Sequence, residues 1–92
     1  MDQKHKWNEE KNKALRESRG VTFEQIVIHI QKGDLLAVKD HPNQLRYPGQ
    51  QLYFVLIDDY VYLVPFIEKD DHIFLKTIIP SRKATRQYIG KR

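Results

Sequence analysis

Leu52-Tyr53-Phe54-Val55-Leu56-Ile57-Asp58-Asp59-Tyr60-Val61-Tyr62-Leu63-Val64-Pro65-Phe66-Ile67 is the stretch that decides the fold. Two runs of β-branched and aromatic residues flank a two-residue acidic link, the pattern of two antiparallel strands joined tightly. Downstream, Glu68-Lys69-Asp70-Asp71 reads as the next turn and Ile73 to Ile79 as the last strand. Upstream, Leu35 to Lys39 reads as a short strand, followed by the turn-rich loop Asp40-His41-Pro42-Asn43-Gln44-Leu45-Arg46-Tyr47-Pro48-Gly49. Such links suit sequential antiparallel neighbours, so the expectation is a meander of about four strands. Pro65 has no N–H to give to a ladder, which predicts a sheet edge or a bulge at that point.

Two helices precede the strands. Asn8 is suited to cap the first, Glu9 and Glu10 put negative charge in its opening turn, and Gly20 ends it with Arg16 and Arg19 nearby. Its apolar content is thin, Ala14 and Leu15 with Trp7 just ahead, which predicts a surface helix with room for a partner. In the second, Thr22 and Gln25 have the spacing of a capping box, and Phe23, Ile26, Val27 and Ile30 form one stripe before Lys32-Gly33-Asp34. After the strands, Pro80-Ser81 ends the sheet and Ser81 is placed to cap a short third helix reaching about Tyr88. The expected fold is α+β in a single domain, residues 1–92, with the helices on one face of the sheet.

Charge is unevenly distributed. The chain has 16 Lys/Arg against 12 Asp/Glu, a net +4. Six of the basic residues, Lys76, Arg82, Lys83, Arg86, Lys91 and Arg92, lie in the last seventeen positions, which contain no acid. A cationic segment of this kind suits a polyanion, nucleic acid above all, or an acidic protein. There is no cysteine, hence no disulfide framework or thiol chemistry. No apolar run approaches the roughly 20 residues of a membrane helix. The start, Met1-Asp2-Gln3-Lys4-His5-Lys6, lacks the apolar stretch of a secretory signal, and the expected location is the cytoplasm.

The third helix inverts the usual charge order. Arg82 and Lys83 stand at its positive end with Arg86 one turn on, each such placement costing on the order of 0.3–1 kcal/mol at a surface. Local frustration of this kind is expected where function overrides stability. Cations at a helix N-terminus suit an anion such as phosphate. Metal-independent cleavage of RNA needs cations on the phosphate and groups that move protons. Lys76, Arg82, Lys83 and Arg86 are phosphate-binding candidates, with Arg46 of the loop as a further nucleic-acid contact. His41, Glu68, His72 and Tyr88 are proton-transfer candidates. The four histidines show no i, i+4 pair, so no metal or other cofactor is expected.

Trp7-Asn8-Glu9-Glu10-Lys11-Asn12 followed by Gly20-Val21-Thr22-Phe23-Glu24 resembles the opening of the BrnT family of toxins, which belong to bacterial type II toxin–antitoxin pairs. Ser81-Arg82-Lys83-Ala84-Thr85-Arg86, with Tyr88 beyond, is similar to that family's closing segment, and Asp40-His41-Pro42 with Tyr47 resembles its central loop. The resemblance spans nearly the whole chain in order. It departs at Gly49-Gln50-Gln51-Leu52, where the family often has Gly-Glu-x-Arg, at Asn8 in place of Asp, and at Arg19 in place of His; these mark a divergent member. It implies a RelE-like fold and a cytoplasmic, growth-inhibiting endoribonuclease held in a hetero-oligomer by a cognate antitoxin. The target would be RNA, including ribosome-bound message. Arg82 and Lys83 match the family's basic pair, and they, with Tyr88 and His41, are the catalytic candidates. The alternatives are a binding module without catalysis, acting as a topoisomerase poison or operon regulator, and a small basic ribosome-associated protein.

Overall fold

The structure is a computed structural model that describes residues 4–90; Met1-Asp2-Gln3 and the basic pair Lys91-Arg92 lie outside the described residues. Its centre is the expected antiparallel pair. β3 (Gln51–Ile57) and β4 (Tyr60–Glu68) run in register from Gln51 opposite Phe66 to Ile57 opposite Tyr60. Asp58 and Asp59 join them with φ of 51° and 63°. Two successive left-handed residues make a type I′ turn, whose twist matches that of the strands, and aspartate tolerates this conformation better than most side chains.

Around this pair the fold is α+β. β2 (Leu35–Asp40) pairs with β3, and β5 (His72–Leu75) pairs with β4, both antiparallel, completing the four-stranded meander. Two strands extend it beyond the sequence reading. β1 (Lys4–Lys6) adds to β5 in parallel, so the sheet is mixed, with order β1-β5-β4-β3-β2. β6 (Ile79–Pro80) pairs with β4 further along the same side as β5. The last strand is therefore not continuous over residues 73–79.

Pro65 explains the break. Lys76 N–H donates to the Pro65 carbonyl at 2.8 Å, but Pro65 has no N–H to return. Extrapolating the β4–β5 register would put Leu63 opposite Ile78, whereas it faces Ile79. One residue is inserted, the bulge anticipated at this proline. The insertion reverses which face the chain presents. Ile78, fully buried, joins the same core as Ile73 and Leu75, which it could not do on an unbroken strand.

Helices cover both faces of the sheet, not one face as the sequence predicts. Tyr53, Val55 and Ile57 of β3 and Val64 and Phe66 of β4 point into one core, while Leu52, Phe54 and Val61 point into another. Both faces of the central pair are apolar, so both are covered. α1 (Glu9–Arg19) and α2 (Phe23–Lys32) link β1 at one edge to β2 at the other and cover the first face. α3 (Arg82–Ile89) covers the second through Ala84, Tyr88 and Ile89.

The caps on α1 and α2 follow the sequence. Asn8 Oδ1 accepts from Lys11 N–H, Thr22 and Gln25 form a reciprocal capping box, and Gly20 closes α1 at φ 71°. As anticipated, Phe23 and Ile26 are fully buried, with Val27 and Ile30 packed beside them. Trp7 stacks on Phe23 at 5.6 Å. α1 buries only Leu15 and Asn12, which leaves most of it exposed. Asn12 is the one buried polar side chain among the described residues. Its Oδ1 accepts from the Phe23 N–H and its Nδ2 donates to Glu24 Oε1, both at 2.8 Å, tying α1 to the first turn of α2.

Replacing Asn12 with Ala strands the buried Phe23 N–H, a loss of about 1–3 kcal/mol, and thermal unfolding should shift down by roughly 4–8 °C per kcal/mol. The bond from Asn12, together with smaller contributions including Arg16, holds the Glu24 carboxyl below its ordinary range despite opposing desolvation. A depressed folded value stabilises above the unfolded pKa and is lost as pH falls through the folded one. Denaturant titrations between roughly pH 5 and 3 should therefore show a shallower decline for Glu24→Gln than for the parent chain.

Candidate functional site

α3 is eight residues long, too short to be stable alone, and its docking uses half of the Ser81-Arg82-Lys83-Ala84-Thr85-Arg86 segment. Ser81 is the next residue opposite β4 after Pro80 and Ile79, and its N–H donates to the Val61 carbonyl at 3.0 Å. A further strand residue would return the bond with its own carbonyl. The Ser81 carbonyl instead accepts from the N–H and hydroxyl of Thr85 as the helix begins. Thr85 Oγ1 takes its place on the ladder, accepting from Val61 N–H at 2.8 Å. Ser81 Oγ caps the helix by accepting from Ala84 N–H. Ala84 is buried, and the Tyr88 ring lies 5.6 Å from that of Phe54.

These contacts settle what both hydroxyls do: they are structural. They also leave Arg82, Lys83 and Arg86 exposed. Among the described residues the close pairs of a basic with an acidic side chain are His29 with Asp34 and His72 with Asp71, and the α3 cations belong to neither. No acid occupies the first turn of α3 to offset Arg82 and Lys83.

Beside α3 runs a groove of about 290 Å³. Leu52, Phe54, Leu63 and Ala84 form its apolar floor, while Lys39, Asp40, Lys83 and Gln87 bring polar groups to it. The β2–β3 register puts Lys39 opposite Leu52 and Ala37 opposite Phe54, so Lys39 belongs to the α3 face of the sheet. Its Nζ lies 5.4 Å from the Phe54 ring centre and 5.9 Å from that of Tyr88. Cation–π attraction to both rings thus holds the ammonium at the groove.

The residues singled out from sequence fall in three places. Lys83 lines the groove and Tyr88 packs at its Phe54 wall, while Arg82 and Arg86 lie exposed on the same helix. His41 and Arg46 belong to the β2–β3 loop. There the His41 ring lies 4.5 Å from Tyr47, its Nδ1 accepts from Asn43 N–H, and the Arg46 guanidinium sits over the Tyr47 ring at 5.6 Å. Gln44 ties this loop together, bonding to the carbonyls of His41 and Gln50 and to Gly49 N–H. The neighbours of His41, Asp40 and Pro42, line the groove. Lys76 lies over Phe74 near the end of β5. His72 is hydrogen-bonded to Asp71, whose carboxyl is thereby held below its ordinary range.

Lys39, Asp40 and Gln87 are not among the site candidates that the sequence offers. Strand alternation places Lys39 with Leu52 and Phe54, but only the coverage of that face by α3 makes the position part of a groove. No group of three or more His, Asp or Glu side chains among the described residues is arranged to hold a metal ion. Comparison with protein families, with curated proteins and with solved structures returned no match.

The division within α3 gives a direct expectation. Thr85→Val leaves the buried Val61 N–H without its acceptor and should destabilise the fold by about 1–3 kcal/mol, with Thr85→Ser restoring most of the loss. Arg82→Ala and Lys83→Ala should stay within about 0.5 kcal/mol of the parent or rise slightly. Chemical denaturation of the four variants checks both statements.

Proposed function

We propose that this chain is a toxin that acts on RNA, a metal-independent endoribonuclease kept in check in the cytoplasm by an antitoxin protein. The observation that carries the reading is the set of α3 cations: Arg82, Lys83 and Arg86 stand on a helix docked entirely by other residues and are paired with no carboxylate in either close pair described. Arg82 and Lys83, in the first turn, oppose the helix dipole, which an anionic ligand would reverse into an advantage, whereas Arg86 lies in the last turn, where the dipole favours it. The ordered resemblance to the BrnT family supplies the class. No helix among the described residues is long and apolar enough to cross a membrane, which is compatible with a cytoplasmic target.

In this reaction the 2′-oxygen forms a bond to the adjacent phosphorus and the bond from phosphorus to the 5′-oxygen breaks, leaving a cyclic phosphate and a 5′-hydroxyl. Arg82 and Lys83 neutralise charge that accumulates on the phosphate oxygens. The 2′-hydroxyl proton must leave and the 5′-oxygen must gain one; His41 and Tyr88 are the groups proposed for these transfers. To give a proton to the 5′-oxygen the His41 ring must be the imidazolium, with both nitrogens donating, so this role requires release of the bond that Nδ1 accepts from Asn43 N–H.

A second reading, binding without catalysis, has its own support. The His41 ring is engaged with Tyr47 and Asn43 within its loop, and no described hydrogen bond sets it against Lys83 or Tyr88.

Purified chain freed of any partner should cleave naked RNA equally well in EDTA, or ribosome-bound message on ribosomes kept in magnesium, and its expression should arrest growth. Arg82→Ala with Lys83→Ala should slow cleavage by about 100-fold or more while the unfolding midpoint holds. Intact RNA in both forms would refute the enzyme; signs of DNA damage on expression would then favour a topoisomerase poison.

A further inference from the structure

We infer that the groove beside α3 receives one unpaired nucleobase of a single-stranded RNA, with the neighbouring phosphates held by Lys39 and Lys83. The inference rests on the reading of RNA as target and adds the form in which it is recognised. At about 290 Å³ the groove sits at the lower end of ligand pockets, which run on the order of 300–1,000 Å³. That suits one planar ring system rather than a length of polymer. Leu52, Phe54, Leu63 and Ala84 in its lining make apolar contact the chief attraction for the face of a base.

The polar groups around that floor complement a nucleotide. Lys83 approaches from α3 and Lys39 from β2, placing cations on two sides of an apolar slot. A base is joined through its sugar to phosphates on either side, so apolar ring and flanking anions arrive together. Asp40, the one carboxylate in the lining, opposes a phosphate at its own position and can accept from an exocyclic amine, while the Gln87 amide can both donate and accept. An aliphatic ligand would make no use of these four polar side chains, which are exposed to solvent. Bases stacked within a duplex cannot enter, so the groove selects single strands.

The test compares three uncleavable 2′-O-methyl oligonucleotides with equal numbers of phosphates: a single strand, a duplex, and a strand lacking its bases. The single strand should bind about 5- to 100-fold more tightly than either other form. Lys39→Gln and Lys83→Gln should each reduce the slope of log affinity against log salt by about 0.7. Gln87→Trp, which fills the slot from an exposed position, should remove the preference for the single strand while leaving the salt slope, with circular dichroism checking its fold. Equal affinity for all three forms, or a preference that survives Gln87→Trp in folded protein, would overturn the inference. If unmodified RNA is cleaved while the three forms bind equally, the base slot alone fails; if no RNA form is bound or cleaved, the reading of RNA as target fails with it.

Discussion

The β3–β4 pair carries large apolar side chains on both faces, and water must be excluded from both. In a chain of 92 residues, that requirement organises the rest. α1 and α2 cover Tyr53, Val55, Val64 and Phe66; α3 covers Leu52, Phe54 and Val61. The chain must pass from one face to the other to do this. The bulge opposite Pro65 contributes the reversal, putting Ile78 into the first core while Ser81 continues toward the second. Thr85 then completes the ladder at Val61 with a side chain where a strand would use its backbone.

This docking defines the proposed binding surface by subtraction. Ser81, Ala84, Thr85 and Tyr88 hold α3 against the sheet, so helical periodicity turns Arg82 and Arg86 outward and places Lys83 along the groove. A short helix with two cations, Arg82 and Lys83, and no acid in its first turn is electrostatically unfavourable at that end. Its favourable state is one in which an anion lies beside it. Lys39, held over Phe54 and Tyr88, supplies a further positive charge from a strand distant in sequence.

Much of the fold was legible because it depends on local chemistry. The type I′ turn at Asp58-Asp59, the caps at Asn8, Thr22 and Ser81, and the stripe Phe23, Ile26, Val27 and Ile30 each express neighbours within a few residues. What the sequence did not disclose depends on distant partners. Lys4-His5-Lys6 has no strand pattern of its own and becomes β1 by pairing with β5. The face covered by α3 follows from the one-residue insertion at Thr77-Ile78, which periodicity alone does not reveal. Asn12 reads as an ordinary helix-surface residue until α2 is folded against it. Of the candidate site, the cations on α3 could be read directly from charge, whereas Lys39, Asp40 and Gln87 became visible only with the three-dimensional groove.

The central claim is that one face of the molecule, α3 with β2 and the start of its following loop, is where a polyanion binds. Amide chemical-shift mapping during titration with a short single-stranded RNA tests this most directly. The largest shifts should fall on Lys39, Asp40, His41 and the segment from Ser81 to Gln87, with α1 and α2 little affected. Shifts centred on α1 and α2, with those of α3 unchanged, would contradict it.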